Sequence, residues 1–475
     1  MRQVAVIGGG IAGLTAARYL QGQAPPTGSG QADLRVVLFE SGSRLGGTIE
    51  TETQDGFVLE KGPDSFLSEK PWALELSKEL GLKTQLIGTR NENRKSFIVR
   101  RGRLVAVPEG FYLISPTQFG PFLNSPLFSP LGKIRMGLET LVPRSKTGSD
   151  ESIGSFIRRR FGREALERAG QPMLAGIYTG DPEQLSLMAT MPRFKALENE
   201  HGSVIRGLLA GVSEKKTALA QASGPRYSLF LSYKEGMETL TRALGLTLPA
   251  GSVRLGSPVR QLIYDASAEQ WRLTTQSGQT QVFDAVCSSL SARASAAVLK
   301  DAAPALSEKL NSITYESVAT VNFAYDRADI AHPLDGFGFV VPATEKRSLV
   351  ACTFCDRKFE GRAPEGKTLL RAFVGGAFGR EFYSRDDKDL TAAVEKDLAE
   401  LLGIRAKPLS ASLSRYPDAM VQYRVGHLEL ASQIETETRQ FKGLYLTGSS
   451  YRGVGIPDCV RDAQLTTEKI NKEIR

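Results

Sequence analysis

Val4-Ala5-Val6-Ile7-Gly8-Gly9-Gly10-Ile11-Ala12-Gly13-Leu14-Thr15-Ala16-Ala17 is the stretch on which the reading of this chain turns. Its four leading apolar residues suit a fully buried strand, and the run from Ile11 to Leu20 suits a helix. Between them lies Gly8-x-Gly10-x-x-Gly13, the spacing of a dinucleotide-binding turn. Gly8 permits the tight turn, Gly10 lets the backbone approach a pyrophosphate, and Gly13 lets the helix pack closely on the strand. With Gly9, the helix start at Ile11 and Ala12 then offers free N–H groups and a positive dipole end to phosphates.

Outward from that turn, the context it requires is present. A second buried strand, Val36-Val37-Leu38-Phe39, ends in Glu40, an acid placed to accept ribose hydroxyls. The interval exceeds the usual spacing of about 20 residues. The excess is Gln23-Ala24-Pro25-Pro26-Thr27-Gly28-Ser29-Gly30, a loop-forming insertion. Ser41-Gly42-Ser43-Arg44-Leu45-Gly46-Gly47-Thr48 then completes an E-x-x-x-R-x-G-G arrangement. It resembles the second half of the N-terminal signature of the FAD-dependent amine oxidase and desaturase superfamily. The resemblance implies FAD, with Ser41, Arg44, Gly47 and Thr48 beside Glu40 in its site. Arg44 is expected to neutralise pyrophosphate charge, and Gly46-Gly47 to present backbone N–H groups to it.

Bulk properties bound the rest. At 475 residues the chain exceeds one ordinary core, so two or three domains are expected. Met1 leads straight into a strand and no long apolar run follows, so neither a secretory leader nor a spanning helix is expected, and the expected location is cytoplasmic. The net charge of +8 suits an anionic membrane surface or an anionic small substrate, and no nucleic-acid-binding module accompanies it. Four cysteines and three histidines make neither a disulfide framework nor a zinc site, so no metal is expected. Cys352-Thr353-Phe354-Cys355 reads as strand, with its thiols on opposite faces.

Gly56-Phe57-Val58-Leu59-Glu60-Lys61-Gly62-Pro63-Asp64-Ser65-Phe66 is a short strand running into a Gly-Pro turn, with a helix expected over 71–80. Here the chain resembles the oxygen-dependent protoporphyrinogen/coproporphyrinogen oxidases of haem synthesis, whose members carry a G-P-x-S-F-like stretch. The resemblance places Gly62, Pro63, Asp64 and Ser65 beside the flavin, and it extends over essentially the whole chain. Gly236-Met237-Glu238-Thr239-Leu240 is similar to the G-M-x-x-L segment of the superfamily. Val259, by the same likeness, sets its backbone against the adenine. It heads a meander expected over 261–264, 271–275 and 281–287. Residues 336–342 and 371–376 match segments that wall the substrate pocket. Carried over, Gly338, Val340, Thr353 and Phe373 surround the tetrapyrrole opposite the flavin, although core strands of an α+β domain would read the same way.

The end of the chain returns to the cofactor. Gly443-Leu444-Tyr445-Leu446-Thr447-Gly448 is a buried strand entering a glycine turn, and Gly455 opens a final helix. That helix is aimed at the electron-rich N1–C2=O edge of the flavin. Val454, Gly455 and Ile456 are expected to touch the ring. Ser449 stands where many superfamily members carry an acid for the ribityl chain.

Residues 90–205 differ in character. Arg90, Arg94, Lys95, Arg100, Arg101 and Arg103 form a basic cluster, followed by a proline-punctuated segment containing Phe111, Tyr112, Phe122 and Phe128. Amphipathic helices are expected over 132–141 and 152–161, the second ending in Arg158-Arg159-Arg160. Aromatics beside basic residues suit an interfacial membrane surface, and equally a helical cap lining a channel. The resemblance implies a membrane-facing helical domain at this position. In family members a basic residue precedes the strand that here begins at Ser96. Arg94 and Lys95, just before it, are the candidate anchors for substrate propionates, against the plainer reading of solvated surface charge.

The expected fold class is α/β and α+β. It comprises a Rossmann-like FAD-binding domain (1–70, 225–295 and 438–475), a mixed-sheet substrate-binding domain (71–89 and 296–437) and a helical membrane-associated domain (90–205). The resemblance implies oxidation of a porphyrinogen to a porphyrin through FAD, with O2 as acceptor and H2O2 as product. Protoporphyrinogen IX is favoured over coproporphyrinogen III. No acid–base constellation is discernible, and chemistry carried by the flavin needs none. The expected partners are the tetrapyrrole, O2, a peripheral anionic membrane surface and a second copy in a homodimer. A flavin amine oxidase or carotenoid desaturase on the same fold stays open, with Ser449 and Gly62-Pro63-Asp64-Ser65-Phe66 against it, as does a non-catalytic flavin-binding membrane scaffold.

Overall fold

Continuous apolar runs buried on both faces make the strands of a parallel sheet. The computed structural model, which describes residues 2–22, 34–145, 149–211 and 229–474, builds such a sheet from five runs. Arg2–Ile7 lies at its centre between Leu34–Phe39 and Ala285–Ser288, with Val253–Arg254 and Leu444–Leu446 at the edges. Val4, Val6, Leu38 and Cys287 face one core, shared with the helix Ile11–Leu20 and the last helix, Ile456–Glu473. Ala5, Ile7, Val37 and Val286 face another. Three separated regions of the chain thus converge on one sheet. The insertion at 23–30 lies outside the described residues.

The stretch 281–287, expected to be one strand, divides. Thr280–Phe283 completes an antiparallel sheet with Gln270–Thr275 and Val259–Asp265, while Ala285–Ser288 crosses to the parallel sheet. Asp284 is the joint: its carboxylate accepts the Gln3 N–H at 2.7 Å, and its own N–H donates to the Gln3 carbonyl at 2.9 Å.

A seven-stranded mixed sheet forms the second body. Its order is Ser410–Gln422, Thr314–Asp326, Lys367–Gly375, Ala351–Phe354, Gly338–Val340, Phe97–Arg100 and Arg103–Ala106. The last two strands come from the segment assigned to the helical domain from residue 90; the first is the strand expected from Ser96, and Phe97, Ile98 and Val99 are buried against their neighbours. The edge strand Ser410–Gln422 was not among the expected ones. Pro417 and a register shift opposite Glu316 and Val318 break its alternation. Asp387–Leu402 covers the back of the sheet, where Leu390, Val394 and Leu398 pack with Phe339, Cys352 and Ala372.

Beyond residue 118 the chain turns helical. Phe119–Asn124, Pro130–Gly137, Ile153–Arg160 and Gln171–Tyr178 enclose a core of Phe122, Phe128, Phe156, Phe161 and Leu174. Arg160 is fully buried there, its Nε 2.6 Å from Glu139 Oε1 and its Nη1 3.3 Å from Glu198 Oε1. Arg159 pairs with Glu151 and Glu198, and Arg158 with Glu183. Arg158-Arg159-Arg160 is therefore not the basic membrane face expected of it: acids of the same layer take up its charge. Phe122 and Phe128 are likewise core residues. Exposed apolar side chains of this layer include Phe119, Leu123, Leu131, Ile134, Leu138, Leu141 and Ile177. Among the described residues no helix is long and apolar enough to cross a membrane.

Candidate functional site

The glycine turn leaves Arg2–Ile7 with Gly8 at φ +102° and its N–H bonded to the Phe39 carbonyl at 2.8 Å. Gly13 admits no side chain, since a Cβ there would lie 1.9 Å from the Gly8 carbonyl oxygen. At Gly10 the opposite holds: a Cβ would meet nothing within 4 Å, so the turn opens on free space. Gly10 caps Ile11–Leu20 without a side-chain bond, and no acid occupies the first helical turn. The donors of Ile11 and Ala12 are thus left for an anion. An open cradle, uncapped donors and no competing acid fit a dinucleotide pyrophosphate.

Glu40 ties the loops around this cradle together. Its Oε2 accepts the Gly9 N–H at 2.6 Å, and its Oε1 accepts the Gly42 N–H at 2.7 Å and the Ser41 hydroxyl at 3.2 Å. The Gly46 N–H donates to the Gly9 carbonyl at 2.8 Å, and the nearest neighbour of a Cβ on Gly47 would be Gly10 Cα. Ser257 N–H donates to the Glu40 carbonyl at 2.8 Å, which brings the head of the Val259–Asp265 strand to the same place. Arg44 is used differently from expectation. Its Nη1 donates to the Leu45 and Ile49 carbonyls, and its Nη2 donates at 2.6 Å to both the Gly47 carbonyl and the Glu50 carboxylate. Its donors shape the loop that carries Gly46 and Gly47.

Thr48, exposed, leads to the next layer. A Cβ on Gly62 would lie 1.8 Å from the Thr48 carbonyl oxygen, so that backbone contact requires the glycine, independently of any flavin. After Pro63, Asp64 meets Lys358 Nζ at 2.9 and 3.0 Å, Arg371 at 3.4 Å and the Ser65 hydroxyl at 2.7 Å. Burial pushes its carboxyl up, but Lys358 and Arg371 outweigh burial and hold it well below the usual carboxylate range. Arg371 Nη1 donates to the Gly62 carbonyl at 2.9 Å, and its guanidinium lies over the Phe373 ring, 4.7 Å from the centroid. Lys358 and Arg371 were missed in the sequence. Arg371 could have been found, because it lies two residues from Phe373 on one strand and so shares its face.

That face is the candidate substrate wall. Gly338 pairs with Thr353 and Thr353 with Arg371, while Val340 pairs with Ala351 and Ala351 with Phe373. Val340, Thr353 and Phe373 therefore stand on one side, half-buried, with Phe339, Cys352 and Ala372 in the core behind them. Gly338 adds no side chain. Its φ is +143° and a Cβ would lie 2.1 Å from the Cys352 carbonyl oxygen, so sheet contact explains the glycine. Thr320 and Asn322 extend the face and donate to the Lys61 and Glu60 carbonyls at 2.7 and 3.2 Å. The helix Gln171–Tyr178 passes over Val340 at Gly176. Arg94 and Lys95 stay at the exposed edge. Lys95 Nζ is 2.8 Å from Asp335, with the two side chains 60% and 44% exposed.

The terminal turn closes the cradle from the other side. Gly448 adopts φ +111°, Val454 and Gly455 are half-buried, Ile456 is buried, and Gly455 caps Ile456–Glu473 without a side-chain bond. An acid is present despite Ser449. Asp462, a residue that sequence reading passed over, accepts the Thr447 hydroxyl at 2.7 Å and the Gly448 N–H at 2.9 Å. Burial raises its carboxyl above the ordinary value.

Known proteins similar to this chain fix its family. The family described as flavin containing amine oxidoreductase matches residues 11–471. Coproporphyrinogen III oxidase of Bacillus subtilis (strain 168) is 35% identical over 465 residues, covering 97% of this chain and 96% of its own. Protoporphyrinogen oxidase 1, chloroplastic, of Arabidopsis thaliana is 29% identical, covering 98% and 87%. A crystal structure from Exiguobacterium sp. 255-15 superposes with a TM-score of 0.86 at 32% identity, covering 99% of both chains. The chain belongs to the flavin-containing amine oxidoreductase family.

Proposed function

We propose that this chain is an FAD-dependent porphyrinogen oxidase of haem biosynthesis, with coproporphyrinogen III as its substrate. The observation that carries this is full-length similarity. Relatives named coproporphyrinogen III oxidase are 32–35% identical, and the plant proteins named protoporphyrinogen oxidase are 28–30% identical. We therefore place coproporphyrinogen III first, reversing the order favoured from the sequence.

When bound, FAD supplies the hydride acceptor, and O2 is proposed to reoxidise it. The protein's part is to hold and to exclude. Gly10, Ile11 and Ala12 would bind the phosphates, Glu40 the ribose, Val259 the adenine side, and Gly448, Val454, Gly455 and Ile456 the flavin end. Asp64, held by Lys358 and Arg371, keeps Gly62–Ser65 in place between cofactor and sheet. Val340, Thr353 and Phe373 offer uncharged side chains suited to an apolar macrocycle, on a face whose one flanking cation, Arg371, is turned to Asp64 and the Gly62 carbonyl. Propionates need cationic partners wherever water is excluded. Lys95 and Arg94 remain our candidates, because the Lys95 carbonyl accepts the Phe337 N–H at 2.8 Å, beside the strand that carries Val340.

We further propose peripheral membrane contact through Leu131, Ile134, Leu138 and Leu141. They recur every three or four residues along Pro130–Gly137 and the turn after it, and all are exposed. Turnover tests the substrate. Porphyrin formation from coproporphyrinogen III should show a higher kcat/KM than from protoporphyrinogen IX. The reverse order would overturn the choice of substrate, and no porphyrin from either would overturn the function.

A further inference from the structure

The segment 447–455 bends sharply and carries Gly448, Val454 and Gly455. Side chains from three other elements hold its backbone. Asp462, within the last helix, accepts the Gly448 N–H and the Thr447 hydroxyl. The Tyr423 hydroxyl donates to the Ser449 carbonyl at 2.6 Å and accepts the Gly453 N–H at 2.7 Å, so one oxygen closes the loop. His427 Nε2 donates to the Tyr451 carbonyl at 2.9 Å, and its ring is stacked on Tyr423 with centroids 4.0 Å apart and planes 19° apart. Burial lowers the His427 pKa, and a carbonyl acceptor requires the proton on Nε2. Ser450 adds a fourth tie, its hydroxyl accepting the Ala292 N–H at 3.0 Å.

Tyr423 follows directly on the edge strand Ser410–Gln422 of the substrate sheet. The preceding Gln422 donates to the Tyr178 carbonyl at 3.0 Å, at the end of the helix that passes over Val340. Substrate sheet, covering helix and terminal turn therefore meet at Gln422-Tyr423. The last helix reaches the same turn independently, through Asp462.

We infer that Tyr423, stacked on His427, and Asp462 are positioning residues for the cofactor-binding turn 447–455. Together they set where the flavin end lies relative to the substrate sheet. The inference rests on the reading that this turn binds FAD.

The test measures the FAD dissociation constant and the visible spectrum of bound flavin in Tyr423→Phe and Asp462→Asn. Tyr423→Phe keeps the stacked ring and removes only the hydroxyl bridge. Each variant should weaken FAD binding at least tenfold and shift the flavin spectrum. Thr447→Val should weaken binding in the same direction and Thr447→Ser should restore it, which separates positioning from packing even if Asp462→Asn fails to fold. Affinities within twofold of wild type, with an unchanged spectrum in folded Tyr423→Phe and Thr447→Val, would overturn the inference. Gly448→Val serves as the control for the site. Loss of FAD there alongside neutral Tyr423→Phe would sink the clamp alone, whereas unchanged affinity in Gly448→Val would sink the turn's assignment and the clamp with it.

Discussion

Glu40 and Asp64 are both carboxylates fixed by neighbours, with different consequences. Glu40 accepts two backbone N–H groups from the loops that frame the open cradle, and it stays half-exposed. Glu40→Ala should weaken FAD binding by about 1–3 kcal/mol, the scale for a hydrogen bond to a charged group. Fluorescence titration with FAD checks it. Asp64 is half-buried, its side chain 14% exposed, and its folded carboxyl sits below its unfolded value. Its contribution to stability is therefore complete above the unfolded pKa, about 3.9, and is lost as pH falls toward the folded one. Asp64→Asn should cost about 3–5 kcal/mol near neutral pH. The gap from wild type in urea melts should narrow in acid; a gap that stays constant down to low pH would contradict the assignment. The two sites differ in how legible they were. Glu40 is fixed by a strand end and a glycine turn that a short window contains. The partner of Asp64, Lys358, lies 294 residues away, and no local pattern announces it. Gly62 was expected beside the flavin and Gly338 beside the tetrapyrrole, yet each is required by a backbone approach, to Thr48 and to Cys352, that only the folded chain brings about.

At the scale of elements, the helix Ile153–Arg160 shows why a basic run was misread. Successive helical residues turn by about 100°, so three in a row cannot share a face. Arg160 is the one that points inward, onto Glu139 and Glu198. Arg160→Met should destabilise the protein by about 3–5 kcal/mol by leaving Glu139 buried and unpaired. Adding Glu139→Gln should recover part of that loss in urea melts, and no recovery would contradict the pairing. The exposed face of Pro130–Gly137 supports a separate prediction. Leu131→Gln with Ile134→Gln should reduce sedimentation with phospholipid vesicles severalfold while leaving turnover of soluble substrate unchanged. Because the three arginines are paired internally, salt should weaken vesicle binding little, and steep salt dependence would point to other cations. Strand periodicity was legible where a strand stayed in one sheet and kept its alternation. It failed at 281–287, where the chain changes sheets at Asp284, and at 410–422, where Pro417 and a register shift interrupt the edge strand.

Across the whole molecule, a path of contacts joins the two sheets. Gly10 lies against Gly47, Thr48 against Gly62, and Gly62 against Arg371, whose strand carries Phe373. The parallel sheet that opens the sequence thus meets the seven-stranded sheet across residues 60–65, and the terminal turn closes the same space through Tyr423 and Asp462. The two ends of this path were readable because glycine spacing and strand register are local. The middle was not, because it is assembled from segments hundreds of residues apart. We propose that this path presents a porphyrinogen to FAD. The most direct measurement mixes the FAD-loaded protein anaerobically with coproporphyrinogen III and, separately, with putrescine, following flavin absorbance. Coproporphyrinogen III should bleach the flavin and yield porphyrin, and putrescine should leave it oxidised. Bleaching by the amine, with none by the porphyrinogen, would contradict the account.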